Sequence, residues 1–335
     1  MSGFVEDPFE AARPWPVVPP PQPDESLSSW LGRIGREYGL TWEELLQPVG
    51  SEKFEAGTDL DGDPPDALVG WLSYSTGQAP SRIRAMTLSG YVPTLLDGLT
   101  PQTGTLTGYV SRIRLISRLD EPVAGLDITP WIDHRWGTAW GCTACLEEDT
   151  FPYRRLHWRL PWMLTCPTHE CFLRRVLVEA GHGWLPIDSP FDRVPLEAEL
   201  VHLGRATGQA VTLGHVNMPG DRIPGGVWVR LLRAAIEEVA RFPPDTTPRG
   251  TGIAELWDDL GIRSLGTEAR ACPYEALPPK IKLRLLRVTA LAMERARSLL
   301  TGWMEGNGPA VLDREVDALR RGRPAPARAP CRVVP

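Results

Sequence analysis

Lysine is nearly absent from this chain. Lys53, Lys280 and Lys282 are the only three, and the remaining 33 of the 36 basic residues are arginine. The skew reads first as genomic base composition and second as recognition chemistry. Long apolar runs are missing too. No stretch approaches the roughly eighteen apolar residues of a membrane span, and residues 1–10 are acidic and polar, without the apolar core of a signal peptide. The expectation is a cytoplasmic protein with no membrane partner, in a compartment where thiols stay reduced and metal is favoured over disulfide. There is no His-Glu-x-x-His and no His-x-Glu ahead of a Pro-Cys-x-x-Cys, so the signatures of zinc proteases and zinc deaminases are absent. No internal repeat is found. A broad basic face is lacking as well: the net charge is −6, with residues 1–66 at −10, 67–262 at −3 and 263–335 at +7. A protein gripping duplex DNA alone would carry such a face, so nucleic-acid contact is expected to be local or shared with partners.

What is present is proline, glycine and tryptophan. Thirty-four Pro and 32 Gly imply short elements and many connections, and thirteen Trp imply packed domains. Residues 1–23 form a proline-rich, linker-like lead, since Pro14, Pro16, Pro19–Pro21 and Pro23 favour extended chain over helix. Ser26 then has the character of an N-cap, followed at helical spacing by Leu27, Trp30, Leu31, Ile34 and Tyr38, with Gly39 as the stop. Thr41 and Glu44 form a capping box for a short second helix. A second pair follows, from Leu68 to a stop at Gly77 and from Pro80 onward, with a helix-turn-helix-like arrangement and Arg82 and Arg84 facing outward. Tyr109 to Arg118 has the pattern of a helix with one basic face. Amphipathic helices are expected over 195–206, 227–241, 253–260 and 280–304. The tail beyond 307 is rich in Pro and Arg, is expected to be disordered, and contains an Arg-Gly-Arg-Pro of the kind that lies in a minor groove.

The densest chemistry lies between residues 142 and 173. Cys142-Thr-Ala-Cys145 is followed, about twenty residues on, by Cys166-Pro-Thr-His169. Two pairs at knuckle spacing can close a tetrahedron around zinc, which supplies apparent folding free energy of about 10–16 kcal/mol. Four good ligands favour a closed structural site over a catalytic one, which keeps a position open. Cys171, Cys272 and Cys331 are left over; Cys171 and Cys272 read as small buried hydrophobes. Arg154, Arg155 and Arg159, interleaved with Tyr153, Trp158 and Trp162, are candidates for phosphate contact, or else solvated partners of a tryptophan core. Trp30 is expected to be a packing anchor or a partner contact.

Two segments together resemble the TniQ family, which includes TnsD-like proteins. One is Pro14-Trp-Pro-Val-Val with Pro23-Asp-Glu-Ser-Leu-Ser-Ser-Trp30-Leu-Gly-Arg-Ile; the other runs from Cys142-x-x-Cys145-Leu-Glu-Glu-Asp through Tyr153-Arg-Arg and Trp158-Arg-Leu-Pro-Trp to Cys166-Pro-x-His169 and Leu173. The resemblance implies a non-enzymatic adaptor for target-site selection in DNA transposition, with an N-terminal helix-turn-helix, a zinc-finger region and Cys142, Cys145, Cys166 and His169 as ligands of one structural Zn2+. The implied partners are an AAA+ transposition ATPase (TnsC-like), target DNA and, where targeting is RNA-guided, a CRISPR complex; a homodimer is also admitted. Many members carry a further Cys-x-x-Cys, which this chain lacks, so a second zinc is not expected. The alternative is a stand-alone helix-turn-helix/zinc transcription regulator. The expected fold is mainly α, multi-domain, with a small zinc-finger or knuckle region: a lead over 1–23, helices over 24–100, the zinc region over 101–185, a helical region over 186–306 and the basic tail over 307–335.

Overall fold

A computed structural model describes residues 13–49, 59–92, 94–95, 138–179, 183–187, 189–218, 221–265, 274 and 277–304. The expected basic-faced helix over 109–118, the tail from 307, Cys272 and Cys331 lie outside these residues. The chain divides into two compact units, one of residues 1–120 with 130–189 and the other of 121–129 with 190–335. Helix dominates both, and five short strands occur among the described residues.

The first unit opens with α1 (Leu27–Tyr38) and α2 (Trp42–Leu46). Ser26 caps α1 through its side chain, Gly39 ends it in the left-handed region at φ 67°, and the Thr41–Glu44 capping box is complete. These local signals hold because each satisfies backbone groups that a helix end leaves without partners. The second pair is α3 (Asp66–Thr76), stopped by Gly77 at φ 69°, and α4 (Pro80–Arg84), with Pro at its start. The four helices close on one core in which Leu27, Trp30, Leu31, Ile34, Leu68 and Leu72 are buried.

The proline-rich stretch is a strap rather than the linker expected from its composition. Trp15 packs edge-on against Trp71 with ring centres 5.3 Å apart, and its N–H donates to the Ser75 carbonyl at 2.7 Å. The indole N–H of Trp30 donates to the Pro19 carbonyl at 2.8 Å, and Arg33 donates to the Pro20 carbonyl at 2.6 Å. An extended proline segment has free carbonyls and few internal bonds, so it is well suited to lie across helices and accept from their side chains.

Three strands that the sequence reading did not anticipate frame the cysteine block. β1 (Thr138–Gly141), β2 (Arg174–Glu179) and β3 (Gly183–Pro186) form an antiparallel sheet in sequence order. The short helix α5 (Thr143–Glu148) follows β1 directly. Gly141 has no side chain for a reason: a Cβ there would meet the Trp158 ring at 3.1 Å and the Val176 methyl at 3.2 Å.

The second unit contains α6 (Ala198–Thr212), a β4 (His215–Met218) and β5 (Asp221–Pro224) hairpin, α7 (Gly225–Arg241), α8 (Gly252–Asp259) and the long α9 (Pro279–Met304). Its core is apolar, with Leu200, Trp228, Leu232, Ile236, Trp257, Leu285 and Val288 buried. A Cβ on Gly225 would meet the Ala210 carbonyl at 2.6 Å, so this glycine permits the close approach of α7 to α6. Among the described residues, no helix is long and apolar enough to cross a membrane.

Candidate metal centre and its polar frame

Cys142, Cys145, Cys166 and His169 converge, with all ligand atoms within 4.8 Å of one another. The two pairs are built alike. Cys142 follows β1 and caps α5, its sulfur accepting from the Cys145 N–H at 3.4 Å; the Cys166 sulfur accepts from the His169 N–H at the same distance. Each knuckle thus turns its backbone donors toward its first sulfur, which favours the thiolate.

The spacing fits a tetrahedral ion. Zinc bonds of about 2.3 Å to sulfur and about 2.0–2.1 Å to imidazole nitrogen require edges of about 3.8 Å between sulfurs and about 3.5 Å between sulfur and nitrogen. His169 Nδ1 lies 3.5, 3.2 and 3.7 Å from the sulfurs of Cys142, Cys145 and Cys166, and the Cys145 and Cys166 sulfurs are 3.6 Å apart. The three cysteines are buried, so the site is closed. This cluster can hold one metal ion. The other imidazole nitrogen, Nε2, lies 2.9 Å from a Glu148 carboxylate oxygen at the end of α5. That carboxylate orients the ring and leaves Nδ1 to face the sulfurs. Burial opposes charging His169, but Glu148 and Cys142 outweigh it and raise its basicity. Hydrogen bonds from the thiols of Cys145, Cys166 and Cys171 pull the Cys142 thiol down, while the bond to Cys142, then that to Cys166 and burial, push Cys145 up. Crowded thiols share a single negative charge by hydrogen bonding; a divalent cation lets them ionise together.

The arginines proposed for phosphate contact are engaged inside the protein. Arg159, its side chain 11% exposed, forms paired hydrogen bonds to Asp59 at 2.7 and 2.6 Å and also reaches Asp61. Arg155 forks onto Asp149 at 3.0 and 2.9 Å and stacks over Tyr153 and Trp158. Arg154 donates to the Ser28 hydroxyl at 2.6 Å. These groups have carboxylate, hydroxyl and ring partners within the chain, and sequence distance hid this: Asp59 stands one hundred residues before Arg159. Arg84 pairs with Asp66, while Arg82 is exposed on α4, a helix of five residues. Trp30 is completely buried.

The segment Pro23 to Trp30 turns out to be a polar frame, a role its sequence alone did not disclose. Asp24, in the left-handed region at φ 56°, accepts from the Tyr91 hydroxyl at 2.8 Å and pairs with His157. Burial, and then the Asp24 charge, hold the Tyr91 phenol well above its ordinary pKa, so it remains a donor. Glu25, fully buried, takes Arg33 at 2.9 and 3.0 Å. The N–H of Ser26 donates to the Arg154 carbonyl at 2.9 Å, Ser28 donates twice to Asp61, and the Ser29 hydroxyl accepts the Arg154 N–H at 3.0 Å. Each residue of Asp-Glu-Ser-Leu-Ser-Ser-Trp therefore either enters the helical core or ties the helices to the cysteine block.

Residues 16–173 match the family model described as TniQ. No curated protein and no solved structure matches the chain.

Proposed function

Because the chain belongs to the TniQ family through residues 16–173, a family of DNA transposition, we propose that it is a non-enzymatic adaptor for target-site selection. In this reading one surface meets target DNA or an RNA-guided CRISPR complex, and another meets an AAA+ transposition ATPase. Zn2+ held by Cys142, Cys145, Cys166 and His169 supplies a structural cross-link, and its work is to keep the two knuckles together. The protein acts in the cytoplasm, by differential binding.

The observation that carries the reading is the polar frame. The matched segment spends its most distinctive residues on joining helices to the cysteine block: Asp24 to His157, Ser28 to Arg154, Asp59 to Arg159. A closed four-donor site and acids and bases paired across the chain suit a rigid platform for partners. They do not suit hydrolysis, which needs an open metal position and a base beside it. The stand-alone regulator is less well supported, because Arg154, Arg155 and Arg159 are occupied within the protein.

The test is capture of the AAA+ ATPase of the same transposition system by the full chain, with and without ATP and target duplex. The adaptor reading expects retention of the ATPase that strengthens with ATP and DNA. Tight, salt-sensitive duplex binding by the chain alone, with no ATPase retained, would replace it with the regulator.

A further inference from the structure

One more donor touches the cluster. Cys171 stands on the far arm of the second knuckle, where the Cys166 N–H donates to the Cys171 carbonyl at 2.8 Å and Thr165 and Phe172 pair as antiparallel neighbours. Residues 166–171 thus close as a hairpin, with Glu170 at φ 49° helping to make the reversal. This hairpin carries three donor side chains, Cys166, His169 and Cys171, where a knuckle needs two.

One distance brings Cys171 to the edge of the cluster, next to the four mutually close ligand atoms but outside them. Its sulfur lies 3.6 Å from the Cys142 sulfur, close to the roughly 3.8 Å that separates two sulfurs on one zinc. His169 Nδ1 reaches that same Cys142 sulfur at 3.5 Å. Two further donors, His169 and Cys171, thus both flank the Cys142 sulfur. His169 has the stronger hold, with Nδ1 against three sulfurs and Nε2 anchored on Glu148. The thiol of Cys171 has Cys142 as its hydrogen-bond partner.

We infer that Cys171 is a reserve ligand of the metal site: His169 fills the fourth corner, and Cys171 takes it over when the imidazole is lost, turning a three-cysteine, one-histidine set into four cysteines. The inference rests on the metal reading proposed above and extends it to a fifth donor. In the exchange the bond to Nδ1 breaks, a bond to the Cys171 sulfur forms, and the thiol proton of Cys171 passes to the freed imidazole, so the site's net charge is unchanged. A knuckle with a built-in replacement stays closed through a fluctuation that would otherwise admit water or a chelator.

The experiment uses the full chain loaded with zinc and, separately, with Co2+, whose visible spectrum counts thiolate ligands. The parent and C171S should both bind one metal per chain and show the spectrum of three thiolates. H169A should still bind one metal per chain and gain the charge-transfer absorption of a fourth thiolate. The double variant H169A/C171S should lose the fourth-thiolate signal and bind much more weakly than H169A. A three-thiolate spectrum in H169A that C171S leaves unchanged would overturn the inference, and so would four thiolates in the parent. Should H169A fail to fold, C171S decides alone: it should hand zinc to a chromophoric chelator several-fold faster than the parent, and equal rates would overturn the inference. A parent that binds no metal would sink the metal reading itself, along with the inference, and is told apart by the parent sample alone.

Discussion

The two units of this chain are held together by different physics. The second is a helical assembly with a mainly apolar core; it buries Lys282 and Arg233, but its ion pairs among the described residues, such as Arg295 with Asp259 and Arg263 with Asp258, sit mostly at the surface. The first buries acids together with their arginine partners. Glu25 is fully buried, Asp61 is 3% exposed, and their partners Arg33 and Arg159 are 12% and 11% exposed at the side chain. It also gathers buried thiols that a cation can join. Apolar packing tolerates exchange of one hydrophobe for another of similar volume. Buried pairs and metal ligands do not, because removing one partner strands the other without water. The first unit should accordingly be specific and brittle, and the second forgiving.

The largest expected effect breaks this contrast most directly. Removing metal, or substituting Cys145→Ser, should unfold the block over 138–179, where metal binding contributes on the order of 10 kcal/mol. Hydrogen exchange should then show protection lost there and kept over α6, α7 and α9. Equal loss in both units would erase the distinction. Next, Arg159→Met leaves Asp59 and Asp61 buried without their guanidinium and should cost about 3–5 kcal/mol in denaturant unfolding. A neutral result would mean that the frame is ornamental. Trp30→Ala should cost about 3–5 kcal/mol through its cavity and should also release the strap at Pro19, seen as faster proteolysis ahead of α1. Leu285→Ala in the second unit, at about 2–5 kcal/mol, is its apolar counterpart and should show no metal dependence.

Smaller effects sharpen the surfaces. Arg82→Ala should leave stability within about 0.5 kcal/mol, and if α4 meets phosphate it should weaken target-duplex binding and lower the salt slope by about one. Smallest of all is Glu294. Hydrogen bonds from Arg297 hold its carboxylate below the ordinary range. Its folded pKa is depressed, so its contribution is present above the unfolded value and fades as pH falls through the lowered one. Glu294→Gln should lower stability slightly near neutrality, where that contribution is fully present, and flatten the acid limb, so that the two melting curves converge at low pH.

The candidate site was legible to different depths. Cys142, Cys145, Cys166 and His169 could be read directly, because knuckle spacing is a local property: three residues of turn bring two donors together whatever surrounds them. The caps at Ser26, Gly39 and Thr41–Glu44 were legible for the same reason. The short strands were not, since Arg174–Glu179 has two arginines at its start and pairs with residues more than thirty positions earlier. The role of Arg159 was hidden in the same way, and so was that of Cys171, whose meaning depends on which sulfur lies across the hairpin.

The sequence by itself determined where several helices begin and end, which four side chains form a cluster that can hold a metal ion, and which family's phrases the first half carries. These follow from hydrogen bonds and ligand geometry spanning a few residues. Only the tertiary structure decided that the proline lead is a strap, that three arginines face inward, and that a fifth donor stands beside the quartet. Each of those depends on a partner far along the chain, and a charge or thiol has no assigned role until folding chooses what lies within about 3–4 Å of it.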